Sequence, residues 1–255
     1  MGLTQFNLFV MSEDTYFKWN REDDKTMYID SVENAIDSLE TTLMYFDRND
    51  NLKWKWIVFS LHHSLYMFCT INLEGGNYTQ VLSNGYDEDK NVHFTRGDGI
   101  VKKSKINKRP NSNGYEIGWE QIEKSWEELI EEWKLKDNSN RIVGRKHKLI
   151  NFWTALARVQ DGEHWMARYV HSKPITLTED NWTSIEWITD EVRNQLTHFI
   201  PMGLSMPVLS LKKACFDIVS VIEQLAFYTG QVMYIDEGNK DRVKKSIEIL
   251  KNKLS

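Results

Sequence analysis

Two cysteines in 255 residues, Cys69 and Cys215, are too few for a disulfide framework. Both sit in apolar helical runs and read as buried small hydrophobes, which fits a reducing cytosol. Basic charge is also scarce: 32 Lys and Arg against 37 Asp and Glu give a net charge of −5 and a pI of about 5.8. No basic surface therefore marks a nucleic-acid binder, and any phosphate must be gripped in a local positive site. The N-terminus lacks a basic region followed by an apolar core and a small-residue cleavage site, so no signal peptide is read. A clean apolar run of membrane length is missing too. The nearest, Trp56 to Leu73, contains Ser60, His62, His63, Ser64, Thr70 and Asn72. Those groups are costly in lipid, so the run reads as a buried central helix with no membrane partner. Gly97-x-Gly99 lacks the third glycine and the strand-to-helix setting of a dinucleotide site. No Gly-Lys-Ser/Thr phosphate loop and no Gly-x-Ser-x-Gly elbow occur. His164 and His171 have no zinc spacing or cysteine partners, so neither a metal nor a cofactor is expected.

What the chain does have is helical periodicity and ten tryptophans in a sequence only 41% hydrophobic. Asp30 predicts an N-cap with Glu33 at the capping-box position. Val32, Ala35, Ile36, Leu39, Leu43 and Phe46 form one stripe, and Asp47 to Asn51 breaks it as a polar turn. From about Leu52 the apolar residues cover most of a second helix, which must be buried on several sides. Residues 30–73 thus read as an antiparallel helical hairpin. Later stripes predict helices over about Lys146 to Gln160, from Pro207 to a stop at Gly230, and from about Asp241 to Leu254.

Between these the pattern fails. Over about 74–117 glycines punctuate short candidate strands such as Tyr78 to Leu82 and Val92 to Thr95, which reads as an irregular insertion or a small β unit. It carries a basic run, Lys102, Lys103, Lys105, Lys108 and Arg109, a candidate secondary contact to an RNA backbone or simply a solvated loop. An added charged helix is expected at about 118–135, with Trp119, Ile122, Trp126, Leu129, Ile130 and Trp133 on one face.

One helix carries the chemistry. Thr183 as N-cap with Glu186 at N3 reads as a capping box, and Trp182 and Trp187 as a hydrophobic staple. Ile185, Ile188, Val192, Leu196 and Phe199 then form a narrow apolar stripe, and Pro201 closes the helix. Near its end Asn194 and His198 stack on one face, with Arg193 about 100° round.

Arg193-Asn194-(three residues)-His198, followed by Phe199-Ile200-Pro201, resembles the Arg-polar-x-x-x-His motif of HEPN-domain proteins. These are all-helical, often metal-independent ribonucleases of prokaryotic toxin and antiviral systems. The order of Phe152-Trp153 through Val159-Gln160, then Lys173 to Thr178, then the motif helix, is similar to the C-terminal half of bacterial HEPN proteins. The likeness covers residues 146–230 well and 25–73 loosely. It implies a mainly α fold, a HEPN-like helical bundle forming one domain over 1–255 with the insertion and the charged helix added. It implies cytoplasmic endoribonuclease activity on RNA, a homodimer whose paired motifs build one composite cleft, and a possible antitoxin or defence-system partner protein. Where many related toxins have a tyrosine two residues after the histidine, this chain has Ile200, which argues against adenylylation there.

RNA cleavage of this kind needs a base for the 2′-hydroxyl, a cation for the phosphate and a proton for the leaving 5′-oxygen. Arg193 suits the phosphate, since its planar fork binds two oxygens and keeps its charge. His198 can be base or acid, and Asn194 can orient the imidazole or bind phosphate. The helix end favours charged His198 and Arg193 favours neutral, so its protonation state is open. Adjacent His62 and His63 point about 100° apart and cannot chelate one metal; a core or supporting role at the cleft is read for them. Two other readings compete. One is a catalytically silent HEPN-like module that binds a partner protein or nucleotide, with Arg193 salt-bridged to Asp190 or Glu191. The other is an RNA binder working through Lys102 to Arg109 without cleavage.

Overall fold

The computed structural model describes residues 29–75, 81, 92–97, 100–108, 115–125, 128, 149–162, 165–166, 171–198, 205–234 and 236–255. The fold is mainly α, as expected, with one small sheet. α1 (Ser31–Phe46) starts at Asp30, whose carboxylate accepts from the Glu33 amide at 2.7 Å, and α2 (Lys53–Glu74) returns beside it. Gly75 ends α2 at φ 49°, a left-handed cap that glycine adopts without steric cost. The hairpin of residues 30–73 is therefore present.

α2 is the core element. Ile57, Val58, Leu61, Leu65, Phe68 and Cys69 are all buried to 1% or less exposure. α1, α3 (Phe152–Arg158) and α5 (Val208–Phe227) pack around it, and α6 (Glu237–Leu254) closes over α1 and α5. α6 presents Val243, Ile247, Leu250 and Leu254 inward, as its stripe predicts, but begins earlier, because Asp236 caps it through the Gly238 amide. Arg242 also ties α6 to Glu33 and Glu40 of α1. Each of those half-exposed pairs contributes about 1 kcal/mol or less. Burial of a single large aliphatic side chain contributes about 1.5–3 kcal/mol, so the core and not the ion pairs holds the helices together. Cys69 and Cys215 are free and buried.

Several boundaries differ from the sequence reading. The insertion holds an antiparallel meander, β1 (Val92–Gly97), β2 (Ile100–Lys108) and β3 (Tyr115–Gln121), in spatial order β1-β2-β3. The charged helix expected over 118–135 does not begin at Gly118, because residues 118–121 pair with Lys102 to Lys105 as a strand. Its start is later: Ser125 and Glu128 exchange two bonds, Glu128 Oε2 accepting from the Ser125 amide and Ser125 Oγ from the Glu128 amide. That is a capping box. Residues 126–127 and 129–148 lie outside those described. α3 starts at Phe152, because Asn151 Oδ1 accepts from the Thr154 amide and caps it there. Before it, the Ile150 amide donates to Val81 O at 2.9 Å.

α4 carries the motif and is not uniform. It runs as α-helix over Glu179–Glu186, as π-helix over Trp187–Arg193 and again as α-helix over Asn194–Thr197. The capping box read at Thr183 and Glu186 sits one turn upstream, at Thr178 and Asn181. Thr183 instead donates its hydroxyl to Glu179 O within the helix. Trp182 is buried and stacks on Trp153, with centroids 6.4 Å apart at 11°. The π segment holds β-branched Ile188, Thr189 and Val192, which lose side-chain freedom in a regular α-helix.

Thr178→Ala is expected to cost about 1 kcal/mol of unfolding free energy and Thr183→Ala a few tenths at most, measured by urea denaturation. Phe68→Ala, at a site with 0% exposure, is expected to cost about 3–5 kcal/mol in the same assay.

Candidate functional site

Backbone geometry decides where Arg193 points. In an α-helix, Arg193 would lie ~140° round from buried Ile188. The π segment bonds i to i+5 and sets residues five apart nearly above one another. Arg193 is thereby turned toward the stripe of Ile188 and Val192, both 1% exposed, and is itself half-buried. The segment packs against α2.

None of the described residues gives the Arg193 guanidinium a hydrogen bond or an ion pair. Asp190, the expected salt-bridge partner, accepts from Trp153 Nε1 at 3.2 Å instead. Burial raises the Asp190 carboxyl above the ordinary range, against the opposing pulls of Trp153 and Arg193. Asn194 Nδ2 donates to Asp190 O at 3.1 Å, so its amide is tied back along the helix rather than to His198. His198 lies just past the last helical residue at φ −104°, ψ 50°, exposed, with its backbone amide donating to Asn194 O at 2.8 Å. Its imidazole has no hydrogen-bond partner among the described residues. Phe199, Ile200 and Pro201 lie outside them.

From α2, His62 enters the same region. Its ring is 6% exposed and lies 4.6 Å from that of Phe152. Its Nε2 has no hydrogen-bond partner among the described residues. Burial pushes its pKa down to about 3, and the positive charge of Arg193 adds to the shift, followed by His63. His62 is thus a neutral imidazole within electrostatic reach of Arg193. His63 points away, pairing through Nδ1 with Ser38 Oγ at 2.8 Å in the α1–α2 seam. Loss of water lowers its pKa while Asp37 raises it. Arg193 and His62 are thus within electrostatic reach of each other, while the His63 ring is turned to the α1–α2 seam.

Beside the motif helix lies a groove of about 590 Å³, walled by Leu52, Lys55 and Val58, by Val192 and Leu196, and by Met206. At its edge Lys55 Nζ sits 5.1 Å from the Trp56 ring centroid, and Trp56 stacks on Tyr45 at 5.7 Å. These three residues carried no functional reading in the sequence. The signal available was Lys55 set between Trp54 and Trp56, a cation flanked by two indoles.

Lys102, Lys103, Lys105 and Lys108 lie along β2, the central strand, rather than on a loop, and Arg109 is outside the described residues. The sheet meets the helical body through α3. Among the described residues no three His, Cys, Asp or Glu converge as a metal-binding group, and no helix is long and apolar enough to cross a membrane. Comparison with protein-family models, curated proteins and solved structures finds no match.

His62 gives a pH prediction. Its folded pKa of about 3 lies below the unfolded value near 6.5. Between those values the unfolded chain holds the extra proton, so this residue's share of stability is intact above pH 6.5 and is lost as pH falls toward 3. Between pH 7 and pH 5 the wild type should lose about 2 kcal/mol more than His62→Phe, measured by urea denaturation at both pH values.

Proposed function

We propose that the protein is a cytoplasmic HEPN-like endoribonuclease of a toxin or antiviral system, with Arg193 as the phosphate-gripping cation and His198 as the proton-transfer group. The observation that carries this is an arginine without an ion-pair partner among the described residues, in an acidic chain whose Arg48 and Arg242 are both paired with carboxylates. Half-burial strengthens its field, and it stands at the end of the helix that bears an exposed histidine.

The chemistry follows from those groups. A histidine takes the proton of the 2′-hydroxyl, the O2′–P bond forms as the P–O5′ bond breaks, and a second proton goes to the departing 5′-oxygen. Arg193 holds the charge on the non-bridging oxygens. The products are a 2′,3′-cyclic phosphate and a free 5′-hydroxyl. One chain offers one exposed histidine at this helix end, and two copies meeting there supply a base and an acid together. The exposed Leu52, Val208 and Leu209, at 65%, 43% and 80%, supply apolar surface for such a homodimer to bury. Asn194 contributes through its Oδ1, which no described residue engages, its amide nitrogen being bonded to Asp190 O. The β2 lysines would serve as an outlying backbone contact.

The apolar groove also favours the second reading, a silent module that docks an antitoxin or defence-system partner protein against Val192 and Leu196.

Incubating the purified protein with total and transfer RNA in excess chelator, beside Arg193→Ala and His198→Ala, separates the two. Discrete fragments ending in cyclic phosphate, slowed roughly 100-fold or more in either variant, are expected. Arg193→Lys should not restore the rate, since an ammonium lacks the bidentate fork. Intact RNA in every lane from a folded dimer would favour the silent module.

A further inference from the structure

His62 is expensive as it stands. Its ring packs on Phe152 as a phenylalanine would, yet it brings a buried Nε2 that no described group satisfies. Buried polar atoms in folded proteins almost always have partners, so this Nε2 is a candidate acceptor for a bond formed when the site is loaded.

Its position says which bond. Lys55, Val58 and His62 fall within ~60° of one another around α2. The first two line the groove opposite Val192 and Leu196, so His62 faces the motif helix from further along the same side. A second route closes on the same place. His62 touches Phe152, the Phe152 ring lies 5.2 Å from Trp153, and Trp153 bonds Asp190, three residues before Arg193.

We propose that His62 is a positioning residue for Arg193: when a phosphate draws the guanidinium inward, the Nε2 lone pair accepts one of its N–H groups and holds the fork in line. This rests on Arg193 being the cation of the site. The choice of an imidazole has a physical reason. A carboxylate partner, such as Arg48 has in Asp50 and Arg242 has in Glu33 and Glu40, would cancel the charge that the phosphate needs. A neutral imidazole with its proton on Nδ1 orients the guanidinium and leaves the charge whole. The unmade bond in the free protein and the made bond in the loaded one give a difference that favours the loaded state.

The test uses His62→Phe, which keeps the ring and removes the acceptor, and His62→Gln, whose carboxamide oxygen can replace it. In single-turnover cleavage of a single-stranded oligoribonucleotide in chelator, His62→Phe should lower the rate roughly 10- to 100-fold. His62→Gln should recover most of it, and the melting temperature of His62→Phe should stay level or rise. In parallel, the ¹⁵N resonance of His62 Nε2 is followed while an uncleavable 2′-deoxy oligonucleotide is added. It should move in the wild type and stay still in Arg193→Met. Full activity in His62→Phe, a resonance indifferent to Arg193, or a lower melting temperature in both His62 variants would overturn the proposal. A resonance that responds through Arg193 in a protein that cleaves no RNA would uphold the pairing and overturn the nuclease reading instead.

Discussion

The burial of α2 on nearly all sides is the constraint from which the rest of the arrangement follows. Trp54, Ile57, Val58, Leu61, Leu65 and Phe68 bury one face, and buried His62, Ser64, Cys69, Ile71 and Leu73 carry the enclosure round both flanks, so α1, α3, α5 and the π segment of α4 each take a share. A helix so enclosed carries any polar residue on its surface into an interface. Ser64 meets this by donating to Ala35 O and Asn72 by donating to Phe68 O and Leu225 O. His62 is enclosed in the same way, and no described residue partners its Nε2. Desolvation keeps it neutral, because charging an imidazole in that setting would cost far more than one hydrogen bond returns.

The second shaping force is the allocation of carboxylates around the cations. In a chain with more acidic than basic residues, a free arginine requires that nearby acids be occupied elsewhere. Trp153 occupies Asp190, and burial weakens that carboxyl as a counter-ion. The Trp153–Trp182 stack and the Phe152–His62 contact hold the same short helix α3 between α2 and α4. Packing and electrostatics thus act through the same residues: the aromatic pair that glues α3 to α4 also leaves Arg193 its charge.

Helices whose signal was periodic were legible in advance. The α1–α2 hairpin, α5 and the inward face of α6 follow from apolar spacing alone, since a 3.6-residue period can be buried in only one way. Capping was legible where one candidate existed, as at Asp30, and misleading where two lay a few residues apart. Thr178 and Thr183 lie five residues apart, and in the folded chain it is Thr178 that exchanges bonds with Asn181, at the start of the helix that buries Trp182. Residues 118–121 read as the start of a helix because Trp119 and Ile122 begin a spacing that also fits one, while the pairing that makes them a strand comes from β2.

For the candidate site the division is sharper. The residue types and their spacing, Arg193, Asn194 and His198 near a helix end, are properties of the local chain, and the sequence by itself determined them together with the mainly helical class. The π segment that carries Arg193, the bond of Asp190 to Trp153, and the approach of Arg193 to within electrostatic reach of His62, 131 positions earlier, were decided only by the tertiary structure. The physical reason is that a side chain's partners and its desolvation belong to the packing of distant segments, and no local pattern encodes them.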